Sequence, residues 1–191
     1  MPEDSADHVL PLSLSGITGA ASPATTHIEE EVMALFDELR VPLFRYGLAF
    51  RLSSHDCEDV IQEVFMALFE HLRQGRSRRN LRGWIFRVMH NLALKRCNNN
   101  RRLQQTQEDS SSIHEPADDA PNAEEQMVWN ERRSRLISVF DALPDADRYC
   151  LQLRAEGLNY REIAGVVGIS LGSVSQYLTR SLARLARADG R

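Results

Sequence analysis

From Arg73 to Arg102 the chain carries ten basic residues and no acidic one. Solvated helix faces usually interleave the two signs. A block this one-sided sets up a local field that the net charge of −4 conceals. The acids gather elsewhere, in the first 70 residues and between Glu108 and Glu125. The chemistry such a block offers is neutralisation of phosphates along a nucleic-acid backbone.

A second set of residues lies near the C-terminus, in LNYREIAGVVGISLGSVSQYLTRSLARL. Ile163, Ala164 and Val167 form the inner face of a short helix, and Gly168 supplies the positive φ of a tight turn. Ile169 falls beneath that turn. Ser170 can cap a second helix whose Val174, Leu178, Leu182 and Leu185 face the core. Small Ala164 lets the helices approach and Val174 plugs the gap between them. This is the pattern of a helix-turn-helix, in which the second helix enters the major groove with its N-terminal residues at base edges. Gly172, Ser173, Ser175 and Gln176 then face the groove; serine can bond several bases and glutamine can pair bidentately with adenine. Arg180 and Arg184, one turn apart, reach phosphates. The bland alternative is a helical hairpin with no DNA partner.

Other chemistries find little support. No Ser/His/Asp, Cys/His or phosphate-loop constellation is present, so the chain reads as a non-enzyme without a cofactor. Cys57, Cys97 and Cys150 are far apart, no pair has zinc-ligand spacing, and the six histidines do not cluster. The cysteines read as core or surface residues rather than thiol sensors, and no metal site is expected. The apolar fraction of 42% is that of a globular chain. No apolar run approaches the roughly 20 residues of a spanning helix, and Glu3, Asp4 and Asp7 stand where a secretory signal carries positive charge. A cytoplasmic protein with no membrane insertion is expected.

The elements that must position these residues are helical. Residues 1–27 are rich in Ser, Ala, Thr, Gly and Pro and read as a disordered N-terminal tail. Ile28, Val32, Leu35, Phe36 and Leu39 recur at helical steps; Pro42 breaks or restarts the helix, and Leu43, Tyr46 and Phe50 continue the stripe. Ser54 or Asp56 can cap a second helix with Val60, Ile61, Val64, Phe65, Leu68, Phe69 and Leu72 on one face. Gly75 to Asn80 is a basic loop. Asn80 can cap a third helix, with Leu81, Trp84, Ile85, Val88 and Leu92 inward, so Trp84 reads as core rather than as a base-stacking ring. This all-α bundle spans 28–103. Residues 104–125, acidic and rich in serine and proline, read as a flexible linker. Helical periodicity resumes near Met127 and runs to Pro144; Asp145 can cap a further helix that Gly157 stops. The second domain spans 126–188.

With both halves in place the chain resembles the sigma-70 family of bacterial RNA polymerase sigma factors, in its two-domain extracytoplasmic-function (ECF) branch. LFRYGLAFRLSSHDCEDVIQEVFMALFEHL resembles the opening of region 2, LRGWIFRVMHNLALKR its promoter-melting part, and ALPDADRYCLQLRAEGLNYREIAGVVGISLGSVSQYL resembles region 4. The resemblance implies two small helical domains, a region 2 bundle and a region 4 helix-turn-helix, that direct promoter-specific transcription initiation. It implies that Asp56, Asp59, Gln62, Glu63 and Phe65 grip the coiled coil of the largest subunit of the polymerase core, with the flap as a further contact. It implies that Arg76, Arg78, Arg79, Asn80, Arg82, Arg87, Asn91 and Lys95 serve the −10 element, holding backbone while unstacked non-template bases are captured. Ser170, Gly172, Ser173, Ser175, Gln176, Arg180 and Arg184 would serve the −35 duplex. An anti-sigma factor is a partner of many such proteins, though no residue here demands one.

Three departures stand out. Ser175, Gln176 and Tyr177 are neutral where basic residues are common, Lys95 replaces a frequent acid, and the N-terminal tail is long. The alternative is a stand-alone helix-turn-helix regulator of the response-regulator type. It predicts alternating strands in the first half, which reads as helix throughout. A helical interaction protein or a small enzyme are more distant alternatives.

Overall fold

The computed structural model describes residues 23–104 and 123–189; the expectations for 1–22 and 105–122 lie outside the described residues. Among the described residues there are seven α-helices and no strand, as the periodicity predicts. They are α1 (Pro23–Leu48), α2 (Ser54–Arg73), α3 (Leu81–Gln104), α4 (Ala123–Asp141), α5 (Asp145–Ala155), α6 (Tyr160–Val167) and α7 (Leu171–Ala188).

Helix α1 departs from expectation twice. It starts at Pro23, inside the stretch read as tail, and it runs straight through Pro42. Proline suits the first helical position because its missing N–H has no partner there anyway. Inside a helix it costs about 3 kcal/mol. Here Leu39, Leu43 and Tyr46, on either side of it, are all fully buried. Each is worth about 1.5–3 kcal/mol of burial, so a continuous stripe outweighs the missing bond. The helix ends in a turn where Arg51 takes a left-handed φ of 60°. The cap of α2 is Ser53 rather than Ser54 or Asp56; its hydroxyl accepts from the Asp56 N–H at 3.1 Å.

α1 and α2 cross closely at Gly47. A Cβ there would stand 2.7 Å from Cys57 Sγ and 3.0 Å from Met89 Cε, so only glycine fits without a shift. Asn80 caps α3 as expected, accepting from the Gly83 N–H at 3.0 Å. The buried arc of α3 is turned from the expected one. Ile85, Phe86, Met89, His90 and Ala93 are fully inside, while Leu81, Trp84, Val88 and Leu92 are only partly covered. The cause is a second neighbour: α3 packs on α2 and also on α6. Trp84 rests on His71 with ring centroids 4.4 Å apart, a packing role as its phase implies.

In the second half α5 begins after Pro144, with no side-chain cap; the Asp145 carboxylate instead accepts from Arg148 at 2.7 Å. Gly157 ends this helix with φ 89°. Asn159 and Glu162 form a reciprocal capping box at the start of α6. Helix α4 packs on α7, and α5, α6 and α7 pack on one another.

The two halves share one core. Phe50 stacks on Tyr149 with centroids 4.0 Å apart, and Tyr46 and His90 share a 2.7 Å hydrogen bond beside them. Arg148, 2% exposed, donates to the Ala49 carbonyl at 2.6 Å across the junction.

Two outcomes follow from this packing. Gly47→Ala should lower the unfolding free energy by about 1–3 kcal/mol, the usual cost of overpacking, and Cys57→Ala in the same chain should recover part of it; chemical denaturation reads both. His90 is a separate case, since burial pushes its pKa from 6.5 down to about 4. The unfolded chain therefore takes up a proton that the folded one refuses. The stability this contributes is whole above pH 6.5 and is lost as pH falls towards 4, by up to about 1.4 kcal/mol per pH unit. Thermal melts of the wild type and of His90→Gln should diverge in slope across that window and run parallel above it.

Candidate nucleic-acid interface

The helix-turn-helix forms from local rules. Gly168 holds φ 77°, and its N–H and that of Ile169 both bond the Ala164 carbonyl, at 2.9 and 3.2 Å. Ser170 then caps α7, accepting from the Ser173 N–H at 3.1 Å, and the two hydroxyls lie 2.9 Å apart. Ser170 and Ser173 thus spend part of their bonding capacity on the cap. Gly172, Ser175 and Gln176 stand exposed on the first turns of α7, the side available to base edges.

Further along α7 the pattern changes. Val174, Leu178 and Ser181 are buried and Leu185 is partly so, while Leu182 is exposed. Ser181 takes the core position expected of Leu182 because it lies over Asp147, a carboxylate with no solvent exposure. Arg180 meets the same carboxylate with both Nε (2.6 Å to Oδ2) and a terminal nitrogen. The guanidinium expected on phosphate instead fastens α7 to α5. Arg184 remains exposed and suited to phosphate contact.

The basic block of α3 and its preceding loop divides in two. Arg76, Arg79, Arg87, Asn91 and Lys95 are exposed. Arg78 is paired with Glu31 at 3.0 Å. Arg82 bonds Glu38 at 3.0 Å and the Glu156 carbonyl at 2.7 Å. The oxygen of Asn80 is used in capping, and its backbone is left-handed at φ 52°. His71 Nε2 lies 3.0 Å from the Ser77 carbonyl and steadies the loop.

On α2, Asp56, Asp59, Gln62 and Glu63 lie on the outer side, Gln62 and Glu63 exposed. Phe65 does not join them; it is buried edge-on against Phe36 at 5.0 Å. It lies on the apolar side of the helix, which α1 covers. The residue that sequence reasoning missed is Arg96. It reaches Asp56 at 2.9 Å, Asp59 at 3.4 Å and Glu63 at 3.3 Å, beside a cleft of about 360 Å³ lined by Val60, Leu92 and Lys95 among others. The signal was present: acids at three- and four-residue steps share a helix face and call for a cation opposite. Burial pushes the Asp56 carboxyl up, but hydrogen bonds from Ser53, Asn100 and Arg96 outweigh it and hold the group below 3.8.

Burial pushes the Cys57 thiol up to about 12 and that of Cys150 to about 11; neither is a reactive thiolate. Among the described residues no group of three His, Cys, Asp or Glu could hold a metal ion. None of the described helices is long and apolar enough to cross a membrane.

The Sigma-70 region 2 family model matches residues 35–103, and the Sigma-70 region 4 model matches residues 133–185. The ECF RNA polymerase sigma factor SigE of Mycolicibacterium smegmatis is 34% identical over 145 residues, 73% of this chain. The chain spans 55% of that relative's length. Two solved structures share the fold. CnrH in complex with the cytosolic domain of CnrY has a TM-score of 0.59 at 21% identity, covering 86% of this chain and 90% of that one. Sigma factor RpoE in complex with the anti-sigma factor NepR from Bartonella quintana has a TM-score of 0.62 at 19% identity, covering 85% and 96%.

The roles of Arg180 and Arg184 separate in a stability assay. Arg180→Ala leaves Asp147 buried without its cation and should cost about 3 kcal/mol or more, whereas Arg184→Ala should cost less than about 0.5 kcal/mol. Equal and small losses in urea unfolding would return Arg180 to the surface role.

Proposed function

The chain belongs to the sigma-70 family, in its ECF branch, and we propose that it is a specificity subunit that brings bacterial RNA polymerase core to promoters and has no catalytic activity of its own. The observation that carries this is the pairing, in one chain, of an exposed arginine row on α3 and its loop with a helix-turn-helix on α6 and α7. A response-regulator-type activator would need a strand-containing first half, and α1 to α3 are helical. The same reading carries a cytoplasmic location, where polymerase and promoter are.

In this reading the outer side of α2 docks on the core. Asp59, Gln62 and Glu63 supply polar contacts there, and Arg96 holds the acids in register from behind. Arg76, Arg79, Arg87 and Lys95 neutralise backbone phosphates of the opened −10 region, joined by Arg78 and Arg82 once these leave their intramolecular acids. Asn80 and Asn91 lie on the same surface as amides able to bond a base. Ser175 and Gln176 read the −35 duplex, with Arg184 on its backbone. Phosphate contacts give affinity without sequence information; base contacts give the reverse. The relatives CnrH and RpoE have been captured with protein partners, and a partner of that kind is part of the proposal.

Size-exclusion chromatography with sigma-free bacterial core tests the central claim. Co-elution is expected, weakened by Asp59→Lys with Glu63→Lys; failure to co-elute at low and moderate salt would overturn it. Replacing Arg76, Arg79 and Arg87 with Ala should weaken holoenzyme binding to promoter DNA across sequences. The slope of log affinity against log salt should flatten by about 0.7–0.9 for each phosphate no longer neutralised.

A further inference from the structure

We propose that His71 is the positioning residue of the arginine loop between α2 and α3. Its Nε2–H holds the Ser77 carbonyl and, through it, the loop residues that the function proposed above, on which this inference rests, places on the opened promoter strand. Residues 74–80 are all exposed, and Arg76, Arg78 and Arg79 crowd three like charges into four positions. Such a loop is pushed apart by its own charge and has no core to hold it. It is nevertheless anchored at both ends. Gly75, at φ 66°, turns the chain out of α2 with its N–H on the Leu72 carbonyl at 2.9 Å, and Asn80 caps α3. Between these anchors Ser77 is the hub. Its hydroxyl accepts from the Arg79 N–H at 3.2 Å, and its carbonyl meets His71 Nε2 at 3.0 Å.

A carbonyl only accepts, so the nitrogen facing Ser77 carries a proton. The other ring nitrogen, Nδ1, is buried and finds no hydrogen-bond partner among the described residues. A buried polar atom left without a partner costs stability that a hydrocarbon ring would not. Phenylalanine would fill the same space against Trp84, whose ring centroid lies 4.4 Å from that of His71. Packing therefore does not account for a histidine at this position, and the donor on Nε2 does. The ring sits in the last turn of α2, rests on the start of α3 through Trp84, and reaches the middle of the loop that joins them.

Holding the Ser77 carbonyl also holds the planar peptide from Ser77 to Arg78. The direction in which Arg78 leaves the loop follows from that plane, and so does the backbone that leads on to Arg79. Asn80 comes next, at a left-handed φ of 52°, a conformation that asparagine adopts more readily than most residues. Its amide addresses a base only where the backbone before it is delivered the same way each time, because directional contacts tolerate errors of about 0.5 Å. In this reading His71 touches neither phosphate nor base. It sets how sharply the loop reads, while the arginines set how strongly it binds.

The test assembles the full chain with polymerase core, offers it a pool of random-sequence single-stranded DNA, and sequences the bound members. Three substitutions separate the donor from the ring. Glutamine carries an amide N–H close to the place of Nε2, asparagine carries one at the place of Nδ1, and phenylalanine keeps a ring with no donor. His71→Gln should enrich the same bases as the wild type. His71→Phe and His71→Asn should lower enrichment of the preferred base about 5-fold or more, the lower end of what one base contact discriminates. No arginine is removed, so the dependence of affinity on salt should be the same in all four chains. A His71→Phe chain that loses helix by circular dichroism is replaced by His71→Leu, with the same loss of base preference expected. Unchanged base preference in His71→Phe or His71→Asn, or a loss in His71→Gln equal to theirs, would overturn the positioning role. If the wild-type holoenzyme itself enriches no base, the −10 reading of the loop falls instead. Hydrogen exchange of the Arg79 amide in the free chain then decides the clasp: faster in His71→Phe than in the wild type if it holds, equal in both if it does not.

Discussion

A guanidinium buried without acceptors is among the least tolerable groups in a protein interior, and Arg148 sets this constraint for the whole chain. Its three nitrogens are answered by the Ala49 carbonyl, the Leu143 carbonyl and the Asp145 carboxylate. These acceptors come from three places: the turn that follows α1, the α4–α5 turn, and the first residue of α5. All three must be assembled before Arg148 can be dry. The Phe50–Tyr149 stack, which shields the guanidinium, forms in the same event. The strained turn at Arg51 fits this account, because its side chain reaches the Asp141 carbonyl at 2.6 Å. Strain at one backbone position is tolerated where the surroundings hold it in place.

The same economy governs the charges. A chain with ten cations in thirty positions cannot leave them all unpaired at close range without self-repulsion. The structure answers by lending acids from elsewhere: Glu31 to Arg78, Glu38 to Arg82, and three carboxylates of α2 to Arg96. The pairs on Arg78 and Arg82 are partly exposed and so worth little to stability, on the order of 0–1 kcal/mol each. On the proposed function, that weakness lets a phosphate take the place of either acid. The Arg180–Asp147 pair differs in kind, since Asp147 has no exposure and no solvent to fall back on.

How much of this the sequence revealed depends on the range of the interaction. Short-range signals read well: the positive φ of Gly168, the cap at Asn80 and the Ser170 cap all follow from residues within a few positions. The Arg block was visible because it is contiguous. What could not be read was which cation would meet which anion, because Arg45 and Glu156 are 111 residues apart and either could equally have faced water. Pro42 was misjudged for a related reason. Its local cost is fixed, but the burial that outweighs it is a property of the packed stripe. The rotated phase of α3 likewise needed knowledge of α6, which no periodicity within α3 contains. Phe65 belongs to the apolar set that periodicity assigns to α2, and its ring packs inward on Phe36, apart from the acids with which the resemblance groups it.

The division of labour along α7 bears on how selective the helix-turn-helix can be. Of five polar or small residues on its leading turns, Ser170 and Ser173 are drawn into the cap and Gly172 has no side chain. Base reading on the proposed function then falls to Ser175 and Gln176. A serine hydroxyl both donates and accepts and so discriminates weakly, whereas a glutamine amide can pair bidentately with adenine alone. With Arg180 withheld by Asp147, the phosphate anchorage of α7 is left to Arg184 and to Arg187 near the helix's end. A recognition helix with one selective amide reads few bases by itself. Selectivity would then come from joining it to a second surface, the arginine row of α3, on the same polymerase-bound chain. The affinity of two linked weak contacts exceeds either alone only when geometry lets both engage at once. That requirement makes the distance between the two halves, rather than the chemistry of either, the quantity that decides promoter binding in this reading.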